Sequence, residues 1–132
     1  VAAKCARIRY ALSVRELPDA VVVTAQAKIA GVQVGAVSAL VRDGDFQVDQ
    51  AFVAPKYRRC GVATTLYTKI AKHGCERGLA LKSDTSLSKP ARGFWRKQER
   101  KGRARFVKTS NDYDSYYQLV CPVTTLRGAR RR

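Results

Sequence analysis

Between Val53 and Thr65 the chain reads Val-Ala-Pro-Lys-Tyr-Arg-Arg-Cys-Gly-Val-Ala-Thr-Thr. These residue types suit an anion. Pro55 ends an upstream strand, and the run from Gly61 onward reads as the start of a helix. A helix N-terminus offers unpaired N–H groups and the positive end of the helix dipole. Gly61 lets the backbone approach a ligand, Ala63 keeps the first turn free of bulk, and Lys56, Arg58 and Arg59 add charge. Thr64 and Thr65 offer hydroxyls.

The neighbouring elements must position that turn. Arg7 to Val14, Ala20 to Ile29 and Val32 to Arg42 read as strands. Asp43-Gly44 is a two-residue hairpin signal, and a fourth strand follows from Asp45 to Val53. Its alternation puts Phe46, Val48 and Phe52 on a buried face and Gln47, Asp49, Ala51 and Val53 on the other. Val62, Leu66 and Ile70 give the helix from Gly61 to Arg77 an apolar stripe, and Gly78 stops it. Leu79 to Thr85 reads as a strand. Ser88 caps a second main helix, Pro90 fits its first turn, and Ala91, Phe94 and Trp95 form its apolar side before Gly102 ends it. Strands at Arg103 to Lys108 and Tyr116 to Cys121 complete an α/β (α+β) chain with a mixed, mostly antiparallel sheet.

The phosphate turn resembles the acetyl-CoA-binding motif of GNAT acyltransferases, Arg/Gln-x-x-Gly-x-Gly/Ala, matched by Arg58, Gly61 and Ala63. A second, looser likeness lies downstream. Where the family often carries Asn, then Ala, then Tyr, this chain has Ser88, Ala91 and Trp95, and the family's Gly-Phe is spread to Gly102 and Phe106. The likeness spans roughly residues 32 to 108 and implies a single GNAT domain over residues 1–126, while the charge cluster at 127–132 reads as a basic, disordered tail. Backbone N–H groups of Arg59, Cys60, Gly61, Val62, Ala63 and Thr64 would hold the pyrophosphate of acetyl-CoA. The main chain at Phe52 and Val53 would meet its pantetheine arm, with Ser88 lining the cofactor site and Phe94 and Trp95 near the thioester.

The resemblance implies attack of an amine on a thioester, which needs a base and oxyanion donors. Family bases are commonly carboxylates on the fourth strand, and Asp49 is the titratable group there, with a solvated or Arg-paired carboxylate as the alternative role. Trp95 stands at the family's Tyr position, and an indole cannot supply a proton to a thiolate. Tyr116, Tyr113 or Tyr117 could substitute, the thiolate could leave unassisted, or catalysis could be lost. His73, late in its helix, reads as a surface residue, and no base is foreseen beside Cys60.

Lys and Arg number 26 against 10 Asp and Glu, a formal net charge of +16. Nine cations lie between Lys89 and Lys108 against one acid, Glu99, and the stripe from Arg92 to Lys108 suits RNA or an acidic protein. Cys5, Cys60, Cys75 and Cys121 show no metal-ligand spacing, so no metal is expected and reduced, mostly buried thiols are. No apolar run approaches eighteen residues, and no signal-peptide core is visible, which leads to an expected cytoplasmic location and no membrane partner. The span from Ser13 to Asp19 is too short for the helices that GNAT members usually place between their first two strands. An open acceptor side follows, suited to a macromolecular amine, a protein lysine or N-terminus. Compact forms of this kind resemble small bacteriophage-borne members that modify host proteins, which would place the chain in a host cytoplasm. Two alternatives are an acetyltransferase acting on aminoacyl-tRNA, toxin-like, and a degenerate GNAT fold serving as a nucleic-acid or protein-binding module.

Overall fold

The computed structural model describes residues 3–121. The basic tail lies outside the described residues. A short helix α1 (Ala3–Ala6) precedes the strands β1 (Arg9–Glu16), β2 (Val21–Ile29), β3 (Val32–Arg42) and β4 (Asp45–Val53). A 3-10 helix over Pro55–Cys60 leads into α2 (Val62–Cys75). Then come β5 (Leu81–Lys82), α3 (Lys89–Arg100), β6 (Ala104–Val107) and β7 (Tyr116–Leu119). The seven strands form one sheet in the order β1-β2-β3-β4-β5-β7-β6. Only β4 and β5 pair in parallel, and the other pairs are antiparallel.

The β1–β4 meander forms because each strand alternates and each connection is tight. Asp43 and Gly44 both adopt positive φ, 53° and 81°, as a two-residue turn of this hand requires. Leu17 N–H donates to Ala20 O at 2.8 Å, closing the turn between β1 and β2 with no helix inserted. One sheet face takes α2, which buries Val62, Leu66, Tyr67, Ile70, Ala71 and Gly74. Fully burying a side chain such as Leu66 or Ile70 contributes about 1.5–3 kcal/mol. Gly74 is a point of close approach between α2 and the sheet. A Cβ there would stand 2.5 Å from Phe46 Cε2 and 2.6 Å from Leu79 O. Ser88 caps α3, its Oγ accepting from Ala91 N–H at 3.3 Å. The apolar side of α3 meets α2 through the stacked rings of Tyr67 and Phe94, whose centroids are 4.3 Å apart.

Three expectations change. The first strand begins two residues later than Arg7, because α1 and its tether occupy the N-terminal approach. The strand expected from Leu79 to Thr85 shrinks to Leu81–Lys82, since β5 leaves β4 immediately after that pair. Cysteine chemistry differs most. Cys5 is bonded to Cys60 and Cys75 to Cys121, with Cα separations of 5.3 and 5.6 Å, and none is free. The reduced-thiol expectation fails because residues 55 and 46 positions apart in sequence are brought within bonding reach by the fold, which spacing cannot reveal.

Candidate active site

The site begins with a defect in β4. Across β3 and β4, Ser38 pairs with Gln50 and Ala39 with Val48, leaving Asp49 as an extra residue. This β-bulge reverses the alternation beyond it. Phe46 and Val48 are buried, but Phe52 is 51% exposed, contrary to the shared face expected for the three. Phe52 pairs with Ala36, while Ala51 pairs with the fully buried Val37 on the α2 side.

The second feature is a split in the sheet. β4 and β5 pair only at Phe46–Leu81 and Gln47–Lys82. Past that point they diverge, and Gln47 Nε2 donates to Ser83 O at 3.0 Å where the ladder stops. Gln47 thus holds the apex of the split rather than facing the cleft as a free polar group. On the other side, Lys82 Nζ reaches Asp45 at 2.6 Å, and that bond is the main reason its pKa rises.

Gly61 then starts α2 in the left-handed region, φ 71° and ψ 23°, with no side-chain cap and no acid in the first turn. The first backbone bond of the helix is Thr65 N–H to Gly61 O at 3.0 Å. The N–H groups of Val62, Ala63 and Thr64 precede it and have no partner within the helix. Val62 is fully buried, main chain and side chain alike, and belongs to the core under the turn. Arg59 is exposed and Cys60, half-buried, is bonded to Cys5. Arg58 Nε donates to Val53 O at 3.3 Å, bridging the turn to the end of β4. The residues present fit a pyrophosphate: an uncapped helix start, a glycine in the one conformation that bends the chain there, and neighbouring arginines.

A cavity of about 420 Å³ opens from this turn, lined among others by Phe52, Val53, Arg58, Ala63, Ser88 and Phe94. It adjoins a cavity of about 480 Å³ that Asp49 lines together with Asp84 and Ser86. Ala51, Phe52, Tyr67, Ser88 and Ala91 line both. The two cavities therefore adjoin and form the path, the first reaching the turn at Arg58 and Ala63 and the second reaching Asp49, while Arg59, Cys60, Gly61, Val62 and Thr64 line neither. Not every anticipated residue lies on it. Trp95 is fully buried and lines neither cavity. Tyr116 lines a third cavity of about 420 Å³ with Arg92 and Arg96, its ring 4.9 Å from Lys82 Nζ.

Sequence reasoning missed two groups on the path. Asp84, half-buried, lines the Asp49 cavity and the Tyr116 cavity but not the one at the Gly61 turn; Ser86 N–H donates to its Oδ1 at 3.2 Å, and its charge bears on Tyr67. Tyr67 is 2% exposed, yet it lines both cavities of the path. Burial pushes its phenol up to about 12, the Trp95 indole opposes the rise and the Asp84 carboxylate adds to it. Tyr67 sits next to Leu66 in an apolar helix stripe, so its spacing signals core and nothing more. Among the described residues, no three His, Cys, Asp or Glu side chains converge to hold a metal ion.

The geometry corresponds to a known family. Residues 4–99 match the model of the acetyltransferase (GNAT) family, more than half of the chain, and the chain belongs to that family. Solved structures share its fold. The ribosomal-protein-S18-alanine N-acetyltransferase from Escherichia coli aligns with a TM-score of 0.53 at 13% identity over 78% of this chain and 68% of that one. Nourseothricin acetyltransferase aligns at 0.51 and 18% identity over 88% and 85%. A structure assigned to the GNAT family from Desulfovibrio desulfuricans aligns at 0.51 and 16% identity. The alignment covers 74% of this chain and 65% of that one, less than two thirds of its length. At these identities the likeness is one of fold. No curated protein sequence matches the chain.

Proposed function

We propose that this GNAT chain transfers an acetyl group from acetyl-CoA to a primary amine carried by a macromolecule, first a protein lysine or N-terminus. The observation that carries this reading is the path from the uncapped Gly61 turn, through the split between β4 and β5, to Asp49. Acetyl-CoA would supply an activated acyl thioester. The N–H groups from Arg59 to Thr64 would bind its pyrophosphate, and Phe52, Val53, Ser88 and Phe94 would line its arm. Asp49 would accept the proton of the attacking amine. The four-residue connection from β1 to β2 leaves the Asp49 side without a helical cover, which suits an amine on a large body.

A second reading, an aminoacyl-tRNA amine, rests on the cations of α3 and β6. The ion pairs among the described residues, Arg77–Glu76 and Lys82–Asp45, involve none of them. A non-catalytic binding module is the remaining reading, and the buried place of Trp95 is what favours it. The cytoplasmic, host-cell setting belongs to the same proposal. No helix among the described residues is long and apolar enough to cross a membrane. The two disulfides weigh against the cytoplasmic setting, because cytoplasmic glutathione keeps most thiols reduced; cysteines found reduced in freshly lysed cells would support that setting, and cysteines found paired would overturn it.

Calorimetric titration with acetyl-CoA tests the function. Asp tolerates the left-handed conformation better than most residues but would put a carboxylate at the anion turn, so Gly61→Asp should weaken binding at least about tenfold. Lysine peptides, N-terminal peptides and aminoacyl-tRNA are then compared for a mass gain of one acetyl group. Absence of acetyl-CoA binding by the folded wild type would overturn the reading.

A further inference from the structure

Thioester aminolysis leaves a thiolate, and the sequence places no donor where the family commonly has one. The structure supplies one from a different helix. We infer that Tyr67 of α2 is a catalytic residue that donates a hydrogen bond to the departing sulfur, and that Trp95 is the positioning residue that aims it. This rests on the acetyl-CoA reading above.

Three observations converge. Tyr67 is the one phenol shared by the cofactor cavity and the Asp49 cavity, so it stands where the two substrates must meet. Trp95 Nε1 is buried with no acceptor in hydrogen-bond geometry. Its ring is nevertheless 5.5 Å from that of Tyr67, edge-on, and its N–H is near enough to favour the Tyr67 phenolate. A phenol both donates and accepts, whereas an indole only donates. An indole N–H that approaches the phenol oxygen can only donate to it, which leaves the phenol proton for a second acceptor. Asp84 acts on the other side. Burial first, with a smaller contribution from the Asp84 carboxylate, disfavours the phenolate, so the donor keeps its proton across the working range. The groups that contact Tyr67, act on its charge or line a cavity with it are therefore Phe94 and Trp95 from α3, Asp84 from the loop after β5, Asp49 of β4 and Arg58 before α2.

The chemistry favours a hydrogen bond over complete proton transfer. A phenol near 12 is about three and a half units weaker as an acid than a thiol near 8.5, a factor of roughly 3,000. In the balanced step the amine nitrogen bonds to the carbonyl carbon and the C–S bond breaks. Sulfur leaves with the bonding pair as thiolate, hydrogen-bonded by Tyr67. The nitrogen's proton passes to Asp49 and then to water, and water reprotonates the thiolate. Tyr67 begins and ends protonated.

The disulfides make a clean test possible. With no free cysteine in the described chain, the thiol of bound CoA is the only one in the complex. Its titration can be followed through the pH dependence of alkylation by iodoacetamide, without any acceptor. In the wild-type complex the CoA thiol should titrate about one to two units below its value in the Tyr67→Phe complex, the effect of one hydrogen bond to a charged acceptor. Trp95→Phe should lose part of that shift while CoA affinity stays within about twofold, which a purely structural role would not produce. Equal thiol titration in wild type and Tyr67→Phe, with CoA bound in both, overturns this inference alone. Failure of CoA to bind the wild type overturns the cofactor reading beneath it.

Discussion

Reducing the disulfides is the most demanding test of this structure. Cys5–Cys60 closes a loop with a sequence separation of 55, and Cys75–Cys121 one of 46. In the chain-entropy description these loops restrict the unfolded state by about 4.2 and about 4.0 kcal/mol at 25 °C. The loops do not overlap, so the two effects should be nearly additive. Native disulfides commonly deliver about 2–4 kcal/mol each, and for a domain of this size about 1 kcal/mol corresponds to roughly 4 °C in Tm. Removing one bond should therefore lower Tm by about 8–16 °C, and removing both should take away much of a typical folding free energy of about 5–15 kcal/mol. Scanning fluorimetry with and without a phosphine reductant gives the shift, and intact mass before and after alkylation counts the thiols. The pairs should also separate functionally. Cys5→Ser with Cys60→Ser loosens the residue next to Gly61 and should weaken acetyl-CoA binding. Cys75→Ser with Cys121→Ser acts at the far end of α2 and should cost stability alone. Four thiols alkylated in the native, unreduced protein, with a Tm indifferent to reductant, would refute the pairing and this reasoning with it.

Other consequences can be checked on the same material. Gly74→Ala forces a methyl group against Phe46 and the Leu79 carbonyl; overpacking should outweigh the better helix propensity and cost about 1–3 kcal/mol in urea unfolding. Asp49→Asn should lower the acetylation rate by about 10²–10⁴ while acetyl-CoA affinity is kept; an unchanged rate would remove Asp49 as the base. Because the Tyr67 phenol is raised in the fold, its contribution to stability is full below the unfolded value near pH 10 and is lost as pH rises through about 12. Absorbance at alkaline pH should accordingly show one late phenolate step that Tyr67→Phe abolishes.

What the residues announce in advance is what local chemistry decides. The Asp43-Gly44 turn, the Ser88 cap and the Gly61 helix start each need particular residue types at particular backbone angles, and each is found as anticipated. The bulge at Asp49 is different. Two residues of β4 oppose one of β3, and which of them is extra depends on how both strands are held at their ends. Alternation along β4 alone therefore put Phe52 on the wrong face. The cysteine pairs are hidden for a related reason: Cα atoms 5.3 and 5.6 Å apart are a property of the folded sheet and helices.

Tyr67 was obscured because its helix performs two tasks with one stripe. α2 buries Leu66, Ile70 and Ala71 against the sheet, and in the proposed function it also presents Gly61 and the neighbouring N–H groups to acetyl-CoA. A phenol in that stripe reads as core, and it is core. The role inferred for it depends on β4 and β5 separating nearby, where a residue 2% exposed still lines two cavities. The disulfides serve the same helix. One joins Cys60, immediately before Gly61, to α1, and the other joins Cys75, the last residue of α2, to the segment after β7. Both ends of α2 are thus fixed covalently to distant parts of the chain. A domain lacking the usual helices between its first two strands has less packing to hold this element. Two crosslinks at the ends of the helix that carries both the anion turn and Tyr67 replace part of that support where position matters most.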